Sequence, residues 1–568
     1  MANAIIDTFD LWTTAQNLKT SNRGLSASNQ SLLGIKKLRE LILELAISGK
    51  LVPQDTLDEP ASVLLKKFEI EKTSLPITED EIPFELPLGW DWCRLENVGI
   101  TNIGLTYSPK DISDVGVPVL RSSNIQNGEI SLEDLVRVNK DINEKVLVKN
   151  GDLLICARNG SKNLVGKCAL IKELSEKSAF GAFMAIFRSD FNNYIKLFIE
   201  SPIYRRSLEG VATTTINQIT QGNLKNTLIA LPPLAEQHRI VAKVDELMAL
   251  CDQLEQQQTN TNEAHQTLVD TLLGTLTNAE NPAAFEEAWQ RIAYHFDTLL
   301  TTEHSIDQLK QTILQLAVMG KLVPQNPDDE PASELLKKIA KEKARLVKEG
   351  RIKNQIPLPK IGDFEKTLLL PNGWDFVRLG ELANRIGSGS TPRGGSSVYE
   401  NDGIIFLRSQ NIWNHGLELD DVVFISKETH TKMSNTVVFP NDILLNITGA
   451  SLGRCTIFPE HIAEANVSQH VTIIRPTENA TKYYLHLCML SPYFQNLVWS
   501  RQVGMAREGL SKKVLELFEI PMPPLAEQHR IVAKVNELFA LCDAMKERLR
   551  DAQALQNQLA VAVVEQAV

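Results

Sequence analysis

Phosphate cradles of the G-x-x-x-x-G-K-[ST] type need a glycine at their first position so that backbone N–H groups can close round the anion. The nearest stretch, SKNLVGKC from Ser161, has serine there, and its echo later in the chain reads ASLGRC. It reads as a turn between strands. GSGSTPRGG (Gly387–Gly395) is rich in glycine but lacks the strand and helix that would frame a dinucleotide site, so it reads as a flexible loop. His238 and His529 sit between Gln and Arg at two helix starts. They suit a solvated or partner-facing turn, with a metal or acid–base role as the alternative. The seven cysteines are scattered without a CxxC pair, which favours reduced thiols over a zinc site or a disulfide framework. No Asp/Asn-Pro-Pro-aromatic stretch suggests an adenine-methylating pocket. A self-contained enzyme finds no support in these residues.

The elements that would position any site follow from length and repetition. At 568 residues the chain exceeds one core, and about three to five domains are expected. With 43% apolar and 23% charged residues it has the composition of a globular protein. No apolar run reaches the roughly 18 residues of a membrane span, and MANAIIDTFDLWTT lacks the basic and then apolar regions of a signal peptide. A cytoplasmic location is the expectation. Net charge of −11 argues mildly against a simple basic nucleic-acid binder.

PPLAEQHRIVAKV occupies Pro232–Val244 and returns unchanged at Pro523–Val535, 291 positions later (523 − 232). LAISGKLVPQ (Leu45–Gln54) returns as LAVMGKLVPQ (Leu316–Gln325), DEPAS recurs at Asp58 and Asp329, and LPLGWDWCRL (Leu86–Leu95) returns as LPNGWDFVRL (Leu370–Leu379). The order is the same each time. The protein is two copies of one unit, roughly 1–275 and 300–568. DEPAS reads as a turn that starts a helix.

Between LPxGWD and PPLAEQ the copies diverge, each over about 140 residues. VPVLRSSNIQNG (Val117–Gly128) answers IIFLRSQNIWNHG (Ile404–Gly416), and NGDLLICARNGSKNLVGKCALI (Asn150–Ile171) answers NDILLNITGASLGRCTIF (Asn441–Phe458). These short β-branched runs between Gly, Asn, Asp and Ser read as strands and turns. Helical NYIKLFIESPIYRRSLEG and KYYLHLCMLSPYFQNLVWS follow, so each stretch is a mixed α/β domain.

After PPL, proline and an early acid (Glu236, Glu527) signal a helix start. Ile531, Val535, Leu538, Cys542, Met545, Leu549, Ala552, Leu559 and Val563 form a seam interrupted at Gln556. Ile240, Val244, Leu247, Cys251 and Leu254 start the first seam, which turns polar at Gln258, Thr261 and His265 before Leu268 and Leu272. A 3.5-residue period is a coiled-coil signal. A helix from Ala526 to Val563 would be roughly 55 Å long, and its expected partner is the equivalent helix of the other copy. The fold class is therefore mixed α/β: two α/β domains separated by an antiparallel helical coiled-coil spacer, with an internal pseudo-two-fold repeat. A rod of that kind suits a two-part linear target, since a turn of DNA spans about 34–36 Å.

The chain resembles the specificity subunits of type I restriction–modification systems over essentially its whole length, and its N-terminal helical segment is similar to the longer-armed members. The resemblance rests on the paired variable domains, the LPxGWD openings, the repeated LRSxNI element and the PPLAEQHRIVAKV helices. SAFGAFMAI (Ser178–Ile186) departs from the family-like NVSQHVTII (Asn466–Ile474). The resemblance implies an N-terminal helical region over 1–85, target-recognition domains over 86–230 and 366–520, a central helical region over 231–365 and a closing helix over 521–568. It implies a non-catalytic subunit that binds double-stranded DNA at a split, asymmetric site. Two methyltransferase subunits and two restriction/translocase subunits would dock on it, with S-adenosylmethionine, ATP and magnesium held by those partners and no cofactor on this chain. The alternative is a duplicated scaffold that joins protein partners without touching DNA.

Residues that both readers share are poorly suited to reading different sequences. Arg121, Ser122 and Asn124, matched by Arg408, Ser409 and Asn411, with Gln410 beside them, suit a phosphate grip or a role in stabilising the domain. Base readers belong where the copies differ, and Arg, Asn and Gln suit them because each bonds guanine or adenine edges in pairs. Arg158, Lys162, Asn217 and Gln218 are candidates in the first domain. Arg393, Asn446, Gln469, His470 and Arg507 are candidates in the second.

Overall fold

The computed structural model describes residues 9–14, 32–68, 76–209, 218–502 and 509–567. The chain divides into two compact units: residues 1–261 with 552–568, and residues 262–551. Two strand-rich domains are separated by a long helix, Leu234–Asn278, here the first closing helix. The second closing helix is Leu525–Ala567. Each begins at the repeated PPL, where buried prolines end a strand and the acid of AEQ sits in the first helical turn.

In the first unit the reader's chain enters on strand Asp91–Arg94 and leaves on Leu228–Leu231, which pair antiparallel with Trp92 opposite Ala230. Inside that clasp, four strands lie in the order Ile100–Ile103, Met184–Arg188, Leu153–Cys156, Cys168–Leu170. Alternate residues of the buried LLIC strand face opposite ways. Leu153 and Ile155 join the helical core of Tyr194, Ile195 and Phe198, while Leu154 and Cys156 join Leu120, Phe180 and Ile186. A second sheet of Val136–Val138, Ile112–Leu120 and Ala179–Phe180 completes the reader.

The second unit repeats this plan. Its clasp pairs Asp375–Arg378 with Glu519–Met522. Its main sheet runs Ala383–Ser388, Val471–Pro476, Ile443–Asn446, Cys455–Ile457, and Ile404–Leu407 pairs in parallel with Ala465–Val467 in the other sheet. The segment that departs in sequence, SAFGAFMAI, makes the same parallel pairing, Val119 opposite Ala179. Both helical stretches break at Ser-Pro, giving Asn192–Glu200 with Pro202–Glu209 and Lys482–Leu490 with Pro492–Ser500. SKNLVGKC is a short 3-10 turn, Lys162–Leu164, between two paired strands. DEPAS starts a helix in both copies, at Ala61 and Ala332.

The repeated phrases recur because they bind one another. In the first unit the Trp90 indole N–H of LPLGWD donates to Glu236 of PPLAEQ at 3.0 Å, and Gln54 of GKLVPQ donates to the same carboxylate at 3.3 Å. Arg239 pairs with Asp58 of DEPAS at 2.6 Å, and the Ala61 N–H donates to the Gly89 carbonyl at 2.8 Å. The second unit repeats every contact: Trp374 to Glu527 at 3.0 Å, Gln325 to Glu527 at 2.8 Å, Arg530 to Asp329 at 2.6 Å, Ala332 to Gly373 at 2.8 Å. Gly49 and Gly320 have positive φ, and a Cβ on either would lie 2.3 or 2.4 Å from the proline ring of LPxGW. The residues that make these contacts are identical in the two copies, whereas Leu88, 78% exposed, is replaced by Asn372 without loss of any of them.

The seam follows the predicted spacing in its first half, with Ile240, Val244, Cys251, Ile531, Val535 and Cys542 buried. It then slips. Leu268 and Leu559, predicted inside, are 50% and 49% exposed, and Ala552 is exposed too. Val269, Leu273 and Leu276 are buried in the second unit's core instead, and Ala560 and Val564 in the first unit's. A helix of 3.6 residues per turn drifts about 20° per heptad against a 3.5 repeat, so over several heptads the buried face moves by one residue. Each unit's own opening helix, Leu33–Ile47 in the first and Glu303–Val318 in the second, meets its closing helix through ion pairs. Arg39 meets Asp252 at 2.7 Å in the first, and Lys546 meets Asp307 at 2.7 Å in the second.

Candidate nucleic-acid interface

One end of each main sheet gathers four loop segments. In the first reader the chain leaving Leu153–Cys156 is caught by a turn, with the Ala157 and Arg158 N–H groups donating to the Phe183 carbonyl at 2.9 and 3.0 Å. The Ile219 N–H donates to the Ala157 carbonyl at 2.8 Å, which brings Gln218 opposite Arg158. Gly104 lies against this turn, donating to the Met184 carbonyl at 3.3 Å. In the second reader Ile447 donates to His470 at 2.9 Å, Leu510 to Ile447 at 2.9 Å and Gly389 to Val471 at 2.9 Å. Thr448 there bridges to Gly509. A Cβ on Gly104 or Gly389 would lie 2.2 or 2.0 Å from a backbone carbonyl oxygen, so only glycine allows the loop to approach. The shared backbone equates Arg158 with Thr448 and Phe183 with His470.

The side chains on this common backbone differ. The Arg158 guanidinium lies 5.3 Å from the Phe183 ring centroid, and that ring is 60% exposed. Gln218 and Lys162 are exposed. In the second reader Thr448 Oγ1 and His470 Nδ1 are 2.6 Å apart, exposed Gln469 accepts from Thr391, and exposed Arg393 follows two residues on. Asn217 and Arg507 lie outside the described residues.

The residues shared by both readers hold the loops. Asn124 and Asn411 are fully buried. Their side-chain oxygens accept from the Arg121 and Arg408 backbone N–H groups, each at 2.9 Å. The Asn124 amide donates to the Ser131 and Glu133 carbonyls at 3.1 and 2.9 Å, and that of Asn411 to the Glu418 carbonyl at 2.9 Å. The Arg121 guanidinium donates to the Asp134 carbonyl at 3.0 Å and that of Arg408 to the Asp421 carbonyl at 2.5 Å. Gln410 donates to the Asp421 carboxylate. Ser122 Oγ accepts from Asn159 at 3.3 Å. Both asparagine side chains are thus bonded within their own reader.

Asn446 departs from its predicted role as a base reader. It is fully buried, and its amide donates to the Ser409 carbonyl at 2.8 Å, tying the LRSQNI turn to the main sheet. A side chain with no surface offers nothing to a base edge. The sequence reading passed over Phe183, Thr448 and Thr391, the first because an apolar residue in a run of small ones looks like core. The one available signal was that SAFGAFMAI breaks the echo.

Comparison with known proteins fits this geometry. The family described as "Type I restriction modification DNA specificity domain" matches residues 87–263 and 371–552, one reader and the larger part of its closing helix each time. The EcoAI specificity subunit of Escherichia coli is 38% identical across 99% of both chains, and the EcoEI specificity subunit of Escherichia coli 36% across 99% of both. A chain from a solved type I R-M system is 20% identical, with a TM-score of 0.46, over 85% of this chain and 99% of that one. Two divergent readers on a duplicated frame, matched twice by the specificity domain, establish that the chain belongs to the type I restriction enzyme specificity subunits and is a sequence-specific DNA-recognition subunit of a restriction–modification system.

Proposed function

We propose that each reader binds one half of a split, asymmetric duplex site through the loop-bearing end of its main sheet. The single observation behind this reading is the pairing of equal backbone with unequal side chains at that end. Arg158, Lys162, Gln218 and neighbouring Asn217 serve the first half-site. Arg393, Gln469, His470 and Arg507 serve the second. Arg121, Ser122, Arg408 and Gln410 hold or position the loops. The chain performs no catalysis. Two methyltransferase subunits and, through them, two restriction/translocase subunits act in the cytoplasm at the site it selects. S-adenosylmethionine, ATP and magnesium belong to those partners.

Selection from random-sequence duplex by the chain with its methyltransferase partner tests the reading. A split motif with unlike halves and a fixed gap is expected. Recovery of unselected sequence would mean a duplicated scaffold that joins proteins without reading DNA.

A further inference from the structure

We propose that Arg158, laid against Phe183, selects a guanine in the first half-site; the proposal rests on the duplex reading above and narrows it to one position. Most arginines near the surface of this reader are committed. Arg137 pairs with Glu176 at 2.6 Å and Arg188 with Asp152 at 2.6 Å. Arg121 is bound to a loop carbonyl. Among the described residues no carboxylate forms an ion pair with Arg158, whose partner is the Phe183 ring.

That ring is 60% exposed on a turn between Ala182 and Met184, where it adds little to the reader's own core. Against a planar guanidinium an aromatic face does two things. It attracts the cation, and it holds the donor fork in one plane. A pre-oriented fork matches the N7 and O6 acceptors that guanine alone presents side by side in the major groove. Because the fork is already ordered, less freedom is lost on binding. A cleft of about 100 Å³ lined by Ile103, Arg158, Gln218 and Leu224 lies at the same place.

The second reader has Thr448 and His470 on the equivalent backbone, a hydroxyl and an imidazole bound to each other. That pair has no two-pronged donor to offer. The backbone position that carries the arginine fork in the first reader carries none in the second, so the two readers differ at this position.

The test uses the whole chain with its methyltransferase partner and the variants R158K, R158A and F183A, checked for unchanged thermal unfolding. Binding is measured on the selected duplex with each base in turn at every position of the first half-site, at several salt concentrations. The parent should prefer guanine at one position by about ten-fold or more. R158K, which keeps the charge and loses the fork, should bind all four bases there within about three-fold. F183A should show an intermediate preference, and the second half-site should not change. Retained guanine preference in R158K overturns the proposal. So does a loss in R158A that is uniform over sequences with the salt slope lowered by about one, the mark of a phosphate contact. If the parent selects no motif at all, the duplex reading itself has failed, a result separate from either of these.

Discussion

Trp90→Phe should destabilise the first unit, and Trp374→Phe the second, by about 1–3 kcal/mol each, because either change leaves a buried carboxylate short of a donor. Glu236 and Glu527 are 1% exposed, and urea unfolding of each variant against the parent reads the loss. Burial lifts both carboxyls above their ordinary range, against the pull of the indole and glutamine donors. A carboxyl raised in the fold favours folding when protonated, so its contribution fades as pH rises through the folded value. Glu365 has the opposite sign. Hydrogen bonds from Arg378 hold it down from 4.5 to about 2. Its contribution is complete above about 4.5 and is lost as pH falls toward about 2. E365Q should therefore be less stable than the parent at pH 7, with the difference shrinking toward pH 2 in chemical unfolding at both. At this scale the sequence was half legible. Repetition marked Asn124 and Asn411 as shared, but which carbonyls they would bind depends on loops that no local pattern encodes. Asn446 shows the cost: asparagine suits adenine as readily as it suits a buried backbone.

The closing helices carry the next scale. Gln256–Asn260 lies between Cys251, buried in the first unit, and Val269, buried in the second. Inserting four residues there lengthens the helix by about 6 Å and should alter the gap between half-sites. The buried face is tested inside the second unit: Val269→Asn should lower that unit's melting temperature markedly and Leu268→Asn far less, because Val269 is 1% exposed and Leu268 50%. Equal effects on melting would contradict the buried face described here. The helices themselves were legible from PPL, the early acid and the seam. Their second halves were not, because leucine at 268 and 559 fits a 3.5 repeat while the straight helix buries 269 and 560. Equivalence of SAFGAFMAI with NVSQHVTII was hidden for a related reason: what they share is backbone pairing, which many side chains satisfy.

At the scale of the whole molecule, duplication accounts for the economy of the design. Four phrases grip one another in each copy and fix where a reader begins and ends, so the residues between them are free to change. The repeated order of the phrases was plain in the sequence; that they grip one another was not, since contacts between separated segments leave no local pattern. Among the described residues no helix is long and apolar enough to cross a membrane. The most direct measurement exchanges residues 96–230 for the matching reader of a relative and determines the selected site before and after. One half-site should change to the donor's, with the other half and the gap kept. A change in both halves, or in neither, would contradict two independent readers on a doubled frame.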